Sequence, residues 1–422
     1  MKKKNYFKIL LLITCFSLSI TPLFAGGEAE KGAEAKKKAE EVSITFLTPP
    51  WGAPPDKELL EEFEAEHGIN VEVIAHPLNE VYSKIMLASV NRKSPADVFY
   101  EGEEGMTHVV TPGYAEPLDK YIEKWEVDIN DFVRWDDWVV DQKIYGIPNY
   151  AQLVMMDYNE EKLHKAGFSS PPETWNQLVE MASQIKKSGI EEYPVSFGAI
   201  SWSWYLIALS MGDEMFDSQQ QPVFDRKGSP ARDAMRLLMD MFRESELISP
   251  SIVGKPHDMF LGGIGTFHQS WQGAYNLMNN PEVSSQAPNI RYMLFPDTHY
   301  TWDLDSAVGI SKYSPNKEAA WEFVKWYVGR DNQVAILQVY GLTPSRRSVQ
   351  EYCMNQGLIH QYDVQVEQAK YVRPLPRDKK WWGEWDTYIN DILRKGIQGY
   401  IEPDAIVDDL SNKWNELRSK YE

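Results

Sequence analysis

The order of apolar segments predicts an α/β protein: a mainly parallel sheet with helices on both faces. Three observations carry this. The first stretch past Glu41 alternates strand, helix, strand, helix, strand, a pattern that buries helices against a parallel sheet. The middle of the chain returns to capped amphipathic helices set between short apolar runs. At 422 residues the chain is long enough for two or three such units, each with its own core.

The N-terminus reads as an address. Lys2, Lys3, Lys4 and Lys8 precede an uncharged run from Ile9 to Ile20, well short of the roughly 20 apolar residues that cross a bilayer. Pro22 breaks the run, and Ala25 offers a small residue for cleavage before Gly26-Gly27. Residues 1–25 are therefore expected to be a secretory signal peptide, which places the protein in a periplasmic or other extracytoplasmic compartment. The alternative is lipidation at Cys15, which would tether the protein to the membrane; a lipid-attachment box, however, normally closes the apolar run, and Cys15 sits inside it. From Gly26 to Glu41 the chain contains Gly, Ala, Glu and Lys only, a composition that suits a flexible spacer.

Val42–Leu47 alternates as a strand should. Pro54-Pro55-Asp56 opens a helix carrying Leu59, Leu60 and Phe63, and Gly68 stops it. Ile69–Ala75 is the second strand, Tyr82, Ile85, Met86 and Ser89 fall at helical spacing, and Ala96–Tyr100 is the third strand. Ligands of such sheets bind beyond the C-terminal strand ends, here Thr48–Ala53 and Glu101–Gly105. Thr174-Trp175-Asn176-Gln177 forms a capping box, and Ser229-Pro230 and Ser314-Pro315 open two further helices. The last helices run over about Trp385–Gly396 and Pro403–Tyr421.

The net charge of −19 and the absence of a basic block argue against nucleic acid or an anionic membrane surface as partner. With 2 cysteines, disulfide scaffolds and zinc ribbons are excluded. Once Cys15 has left with the signal peptide, Cys353 has no partner for an internal disulfide and reads as a buried apolar residue. The 8 histidines are scattered, none at i, i+4 from another, so no metal site is expected. Gly262-Gly263-Ile264-Gly265 lacks the lysine of a phosphate loop and reads as a turn before a strand.

Several segments, in order, are similar to one family. Ser43–Leu47, Leu59–Phe63 and Gly68–Val73 resemble the opening of the extracellular solute-binding proteins of ABC sugar importers. Ser94–Val98, Lys143-Ile144-Tyr145-Gly146-Ile147-Pro148, Tyr158-Asn159, Pro171–Trp175 and Ser314–Phe323 resemble that family's later segments. The resemblance implies the type II periplasmic-binding-protein fold of the maltose-binding-protein kind, two lobes around a cleft joined by hinge strands. Lobe I would be 42–148 plus 304–343, and lobe II 149–303 plus 344–422. It further implies a monomer that captures a carbohydrate by lobe closure and delivers it to an ABC permease, with no cofactor.

A sugar offers apolar C–H faces and a rim of hydroxyls. It is held by flat aromatic rings and by carboxylate or amide groups placed around a largely pre-formed cleft. Trp is abundant, at 15 residues, and several fall where the cleft should be. Trp51 follows the first strand, and Glu101 and Glu103 follow the third. Tyr150 and Gln152 follow the first hinge crossing; Trp202 and Trp204 follow a strand-like Pro194–Ala199; Gln269 and Trp271 lie in Phe267–Trp271. Trp302, Asp303 and Asp305 stand at the second crossing. By the family's pattern Trp51, Glu101, the aromatic pair Trp202 and Trp204, and Trp271 fall at sugar platforms or anchors, and Trp381, Trp382 and Trp385 near a further one. The same fold could instead hold a polyamine, a metal chelate or a peptide, and for a polyamine acids and aromatics would also serve. A secreted glycosidase is the rival of another class. It needs two carboxylates at a set separation, and neither a Gly-x-Ser-x-Gly elbow nor a His-Glu-x-x-His helix is present.

Overall fold

The computed structural model describes residues 42–102, 109–198, 200–377 and 379–422. The expected signal peptide, the spacer, Cys15 and Glu103 lie outside the described residues.

Three parallel strands open the fold: β1 (Val42–Thr48), β2 (Ile69–Ala75) and β3 (Val98–Gly102). Between β1 and β2 the helix Lys57–His67 begins where the Asp56 carboxylate accepts from the Glu58 and Leu59 amides, and it stops at Gly68, whose φ is 65°. β3 starts two residues later than alternation alone suggests. The Asp97 carboxylate at its entrance accepts from Thr45 N at 2.9 Å and from Ser314 Oγ at 2.5 Å, tying the strand to its neighbours.

A small antiparallel pair, β4 (Val139–Val140) and β5 (Lys143–Ile144), leads into β6 (Ile147–Asn159). All 13 residues of β6 are buried, because it is hydrogen-bonded along both halves to different neighbours. Its first half pairs antiparallel with β10 (Asp303–Ile310). Its second half pairs with β8 (Phe267–Trp271) and β9 (Ile290–Met293), and β7 (Val195–Ser196) adds in parallel to β8. The strand order is therefore β2-β1-β3-β10-β6-β8-β7, with β9 on β6. Parallel pairing holds at both ends of the sheet. The strands that cross its middle, β6 and β10, are antiparallel to their neighbours.

Two large cores flank this crossing. One gathers Ile44, Phe46, Phe63, Val98 and Tyr100 with Trp321, Phe323 and Tyr327. The other gathers Val154, Trp175, Trp204, Tyr205, Leu238, Trp385 and Trp414. In the capping box at Thr174, Oγ1 accepts from Gln177 N at 3.2 Å, while Gln177 Oε1 reaches Glu173 N rather than the cap's own amide. The helix after Ser314-Pro315 starts at Lys317 with Asn316 at its N-cap; Ser314 Oγ donates to Asp97 at 2.5 Å and accepts from Asn316 N at 3.0 Å, just ahead of the helix. Within the strand-like Pro194–Ala199 only the two-residue β7 forms, and the segment Ile200–Ser210, which carries Trp202 and Trp204, is a helix. Among the described residues no helix is long and apolar enough to cross a membrane. Cys353 is buried as expected, which pushes its thiol up to about 11.

Candidate functional site

A cleft of about 370 Å³ opens beside the crossing strands. Trp51, in the single 3₁₀ turn Pro50–Gly52 after β1, is 38% exposed and forms one wall. Its Nε1 lies 3.4 Å from Tyr100 Oη, and Tyr100 Oη is 2.7 Å from Tyr150 Oη. A line of aromatic groups thus runs from β1 through β3 to β6. Tyr100 and Gly102 face the cleft because strand residues alternate, and the same alternation turns Glu101 away from it. Opposite, Trp202 projects from the helix Ile200–Ser210 and is 36% exposed. Trp271, the last residue of β8, packs against both large cores and a smaller third one. Its Nε1 donates to Gly341 O at 2.7 Å. Here two backbones run in contact: a Cβ on Gly273 would fall 1.9 Å from Gly341 O, so only glycine lets the segments meet. That approach sets Tyr340 and Leu342 on the cleft wall, and Leu78 and Leu304 complete its apolar part.

The polar edge is built on Gln152 and Asp305. The Gln152 side-chain carbonyl accepts from Thr343 N at 3.2 Å, so its oxygen is engaged by the protein. Burial pushes Asp305 up to about 7 against the pull of Arg134, whose Nε and Nη2 meet its two oxygens in a bidentate pair. Asp303 pairs with Arg377 Nη2 at 2.8 Å and lies 3.9 Å from Arg134 Nε. Asp137 is also drawn in and is pushed up to about 6, by burial first and by Asp303 second. Ligand atoms of Asp137, Asp303 and Asp305 all lie within 4.8 Å of one another. Two guanidinium groups already engage these carboxylates, which makes the group an ion-pair cluster rather than a cation cage.

A wider cleft of about 860 Å³ runs between Ser170–Thr174 and Tyr292–Phe295, with Asp297, Asp363 and Glu367 on its rim. It contains no tryptophan and none of the residues predicted for a site. The aromatic cleft is accordingly the candidate.

Residues 48–334 match the family described as bacterial extracellular solute-binding protein. The chain belongs to this family. A Brucella abortus protein named only for binding is 25% identical over 385 residues, covering 86% of this chain and 90% of its own. A Sinorhizobium fredii protein named for amino-acid ABC transport is 24% identical over 308 residues, 68% of either chain. Among solved structures, a Listeria monocytogenes ABC substrate-binding protein in complex with cycloalternan superposes with a TM-score of 0.77 at 18% identity, covering 90% of this chain and 100% of the other. A maltose-bound T. maritima protein gives 0.75 at 18% identity, covering 89% and 100%. The fold is that of the type II periplasmic binding proteins, the α/β class read from the sequence.

In this solute-binding protein the structure brings together Trp51, Tyr150, Gln152, Trp202, Trp271 and Asp305 around one cleft. It places others elsewhere. Glu101 is fully buried with neither carboxylate oxygen partnered, and burial alone raises its pKa well above the usual carboxylate range. Trp204 is fully buried with Nε1 on Ala231 O at 3.0 Å, and Trp382 packs against Tyr205, Trp385 and Trp414. Trp302 is 2% exposed, edge-on to Trp202 at 5.4 Å, where it backs that residue instead of facing ligand. Gln269 accepts from Ser203 Oγ at 3.2 Å outside the cleft wall, and Asp303 is held by Arg377. Sequence reasoning missed Tyr100, Tyr340 and Arg134. Tyr100 was readable, one residue before Glu101 on the opposite strand face. Arg134 had no local signal, because its partner Asp305 lies 171 residues away.

Proposed function

We propose that this solute-binding protein captures a neutral carbohydrate and passes it to the membrane subunits of an ABC importer, without catalysis and without a cofactor. One observation carries the reading. Three indoles, Trp51, Trp202 and Trp271, border a single cleft in which the one carboxylate among the described lining residues is already matched by Arg134. Flat apolar faces suit the C–H side of a sugar ring, and Gln152 and Asp305 suit its hydroxyls. A free amino acid would need a cation for its carboxylate and an acid for its ammonium, and a polyamine would need unmatched acids. The described lining supplies neither, which favours sugar over the amino-acid cargo in the Sinorhizobium relative's name. The solved neighbours that hold maltose and cycloalternan support the same choice.

On this reading the two cores belong to two lobes, 42–148 with 304–343 and 149–303 with 344–422. β6 and β10 are the hinge strands, and closure brings Trp51 and Trp202 onto the sugar. Residues 1–25 would direct export and 26–41 would act as the spacer, with lipidation at Cys15 as the alternative that tethers the protein.

The test is calorimetry with a panel of mono- and oligosaccharides, amino acids and spermidine. Saturable binding of a sugar, with a change in tryptophan fluorescence and no product released, is the expected result. Binding of spermidine or an amino acid alone would replace the cargo, and release of a shortened glycoside would make the protein an enzyme.

A further inference from the structure

We propose that His257 is a positioning residue for the cleft: it holds the Trp271 indole in one orientation before ligand arrives. The proposal rests on the reading of Trp271 as a ligand platform, and its first test is independent of any ligand.

Trp271 is fixed at one point by its Nε1 bond to Gly341 O, 2.7 Å long. Apolar packing against the neighbouring cores restrains the ring further but is not directional. The ring neighbour that bears on its plane is His257, in the short helix Pro256–Leu261, whose ring centre lies 4.6 Å from that of Trp271 at an interplanar angle of 44°. His257 is itself fixed from behind. Its Nδ1 is 3.3 Å from His268 Nε2, and His268 Nδ1 is 2.8 Å from Ser196 O. Phe260 stacks on His268 at 4.4 Å and 16°.

The tautomers follow from this chain. Burial pushes His257 down to about 4 and His268 down to about 3, so both are neutral at pH 7. Ser196 O can only accept, so His268 carries its proton on Nδ1 and presents a lone pair at Nε2. His257 must then donate from Nδ1, which leaves its buried Nε2 as a bare acceptor, and that atom has no partner. An imidazole kept at this cost, with one polar atom unmatched, is explained by what its ring face touches. Trp271 rests on a rigid column running from Ser196 through His268 and His257 to the cleft. A platform held in one plane avoids the ordering cost that binding would otherwise incur, worth about two- to tenfold in affinity.

Two variants of the full chain separate the hydrogen bond from the ring contact. His257→Asn keeps a donor for His268 but removes the ring, and His257→Phe keeps a ring but removes the donor. Indole ¹⁵N–¹H spectra of the ligand-free protein, with the Trp271 signal assigned from Trp271→Phe, are the first readout. We expect one sharp Trp271 signal in the wild type and in His257→Phe, and a shifted, broadened or doubled signal in His257→Asn. An unchanged signal in His257→Asn, with a melting temperature near that of the wild type, overturns the proposal. The second readout is affinity for maltotriose. His257→Asn should weaken it about two- to tenfold, and should weaken it no further in a Trp271→Ala background. A full loss that persists in that background means His257 acts elsewhere and also overturns it. If wild-type protein binds neither maltotriose nor any other sugar of the panel, the carbohydrate reading falls, and the indole spectra still decide the role of His257.

Discussion

Trp202 and Trp204 stand two positions apart on one helix, hence about 200° apart around it, and that rotation decides what each can do. Trp202 faces the cleft and Trp204 the second core. Trp204→Ala should cost about 3–5 kcal/mol of stability, the usual price for emptying an aromatic core site. Trp202→Ala should leave the melting temperature nearly unchanged and weaken sugar binding by about 1–3 kcal/mol in calorimetry. The sequence position after Pro194–Ala199 does not distinguish the two tryptophans; the helical period does. Glu101 makes a similar point for a strand. Its position at the C-terminal end of β3 was legible, but the face it takes is set by the pleat, which sends it into the interior. Its folded pKa is raised above the unfolded value near 4.3. The folded state therefore holds the proton more tightly, and this group's contribution is greatest below that pH and is lost as pH rises toward the folded pKa. In Glu101→Gln the melting temperature should fall less between pH 4.5 and about 7 than in the wild type, which differential scanning fluorimetry would measure.

At the scale of elements, several signals confined to a turn of chain formed as read. Asp56, Thr174 and Gly68 cap or stop their helices because their signals act within a turn or two of chain. The crossing strands carry long-range information instead. β6 carries buried Asn149, Gln152 and Asp157 among its apolar residues, so no alternation marks it as buried along its whole length, and its partners come from residues more than a hundred positions away. The ion-pair cluster beside these strands belongs to the same class. Arg134 serves Asp305 and the Gln152 carbonyl together, joining the segment before β4 to both β6 and β10. Arg134→Met would leave Asp305 buried without its cation, and the loss should be about 3 kcal/mol, the lower end for a broken buried pair because Arg134 is 28% exposed. The pH dependence has a definite sign. Burial already raises Asp305 to about 7, and removing the guanidinium raises it further. Protonation then relieves the defect, so the variant should be weakest at pH 8 and recover toward wild-type stability at pH 5, as chemical denaturation at the two pH values would show.

For the whole molecule the question is how two cores sharing one set of crossing strands respond to a ligand between them. Trp51 meets Tyr100 of the first core, Trp202 lies edge-on to Trp302 of the second, and Trp271 packs against both. Trp271 is therefore tied to the crossing, while Trp51 and Trp202 are the exposed indoles of the cleft. On the proposed two-lobe reading, closure is rotation about β6 and β10, with Trp271 as the fixed floor and the other two as jaws. Trp51→Ala should then reduce affinity while leaving the melting temperature nearly unchanged, whereas Trp271→Ala should lower both. Sugar at 100 times its dissociation constant should stabilise the wild type by about 2.7 kcal/mol, since it binds only the folded chain. Small-angle scattering tests the motion itself. The radius of gyration should fall when a saturating sugar is added to wild type, and should fall less in Trp51→Ala at equal occupancy, because one jaw has lost the surface that holds the closed state. An unchanged radius at full saturation would mean that the cleft binds as a rigid groove and that β6 and β10 are struts instead of hinges.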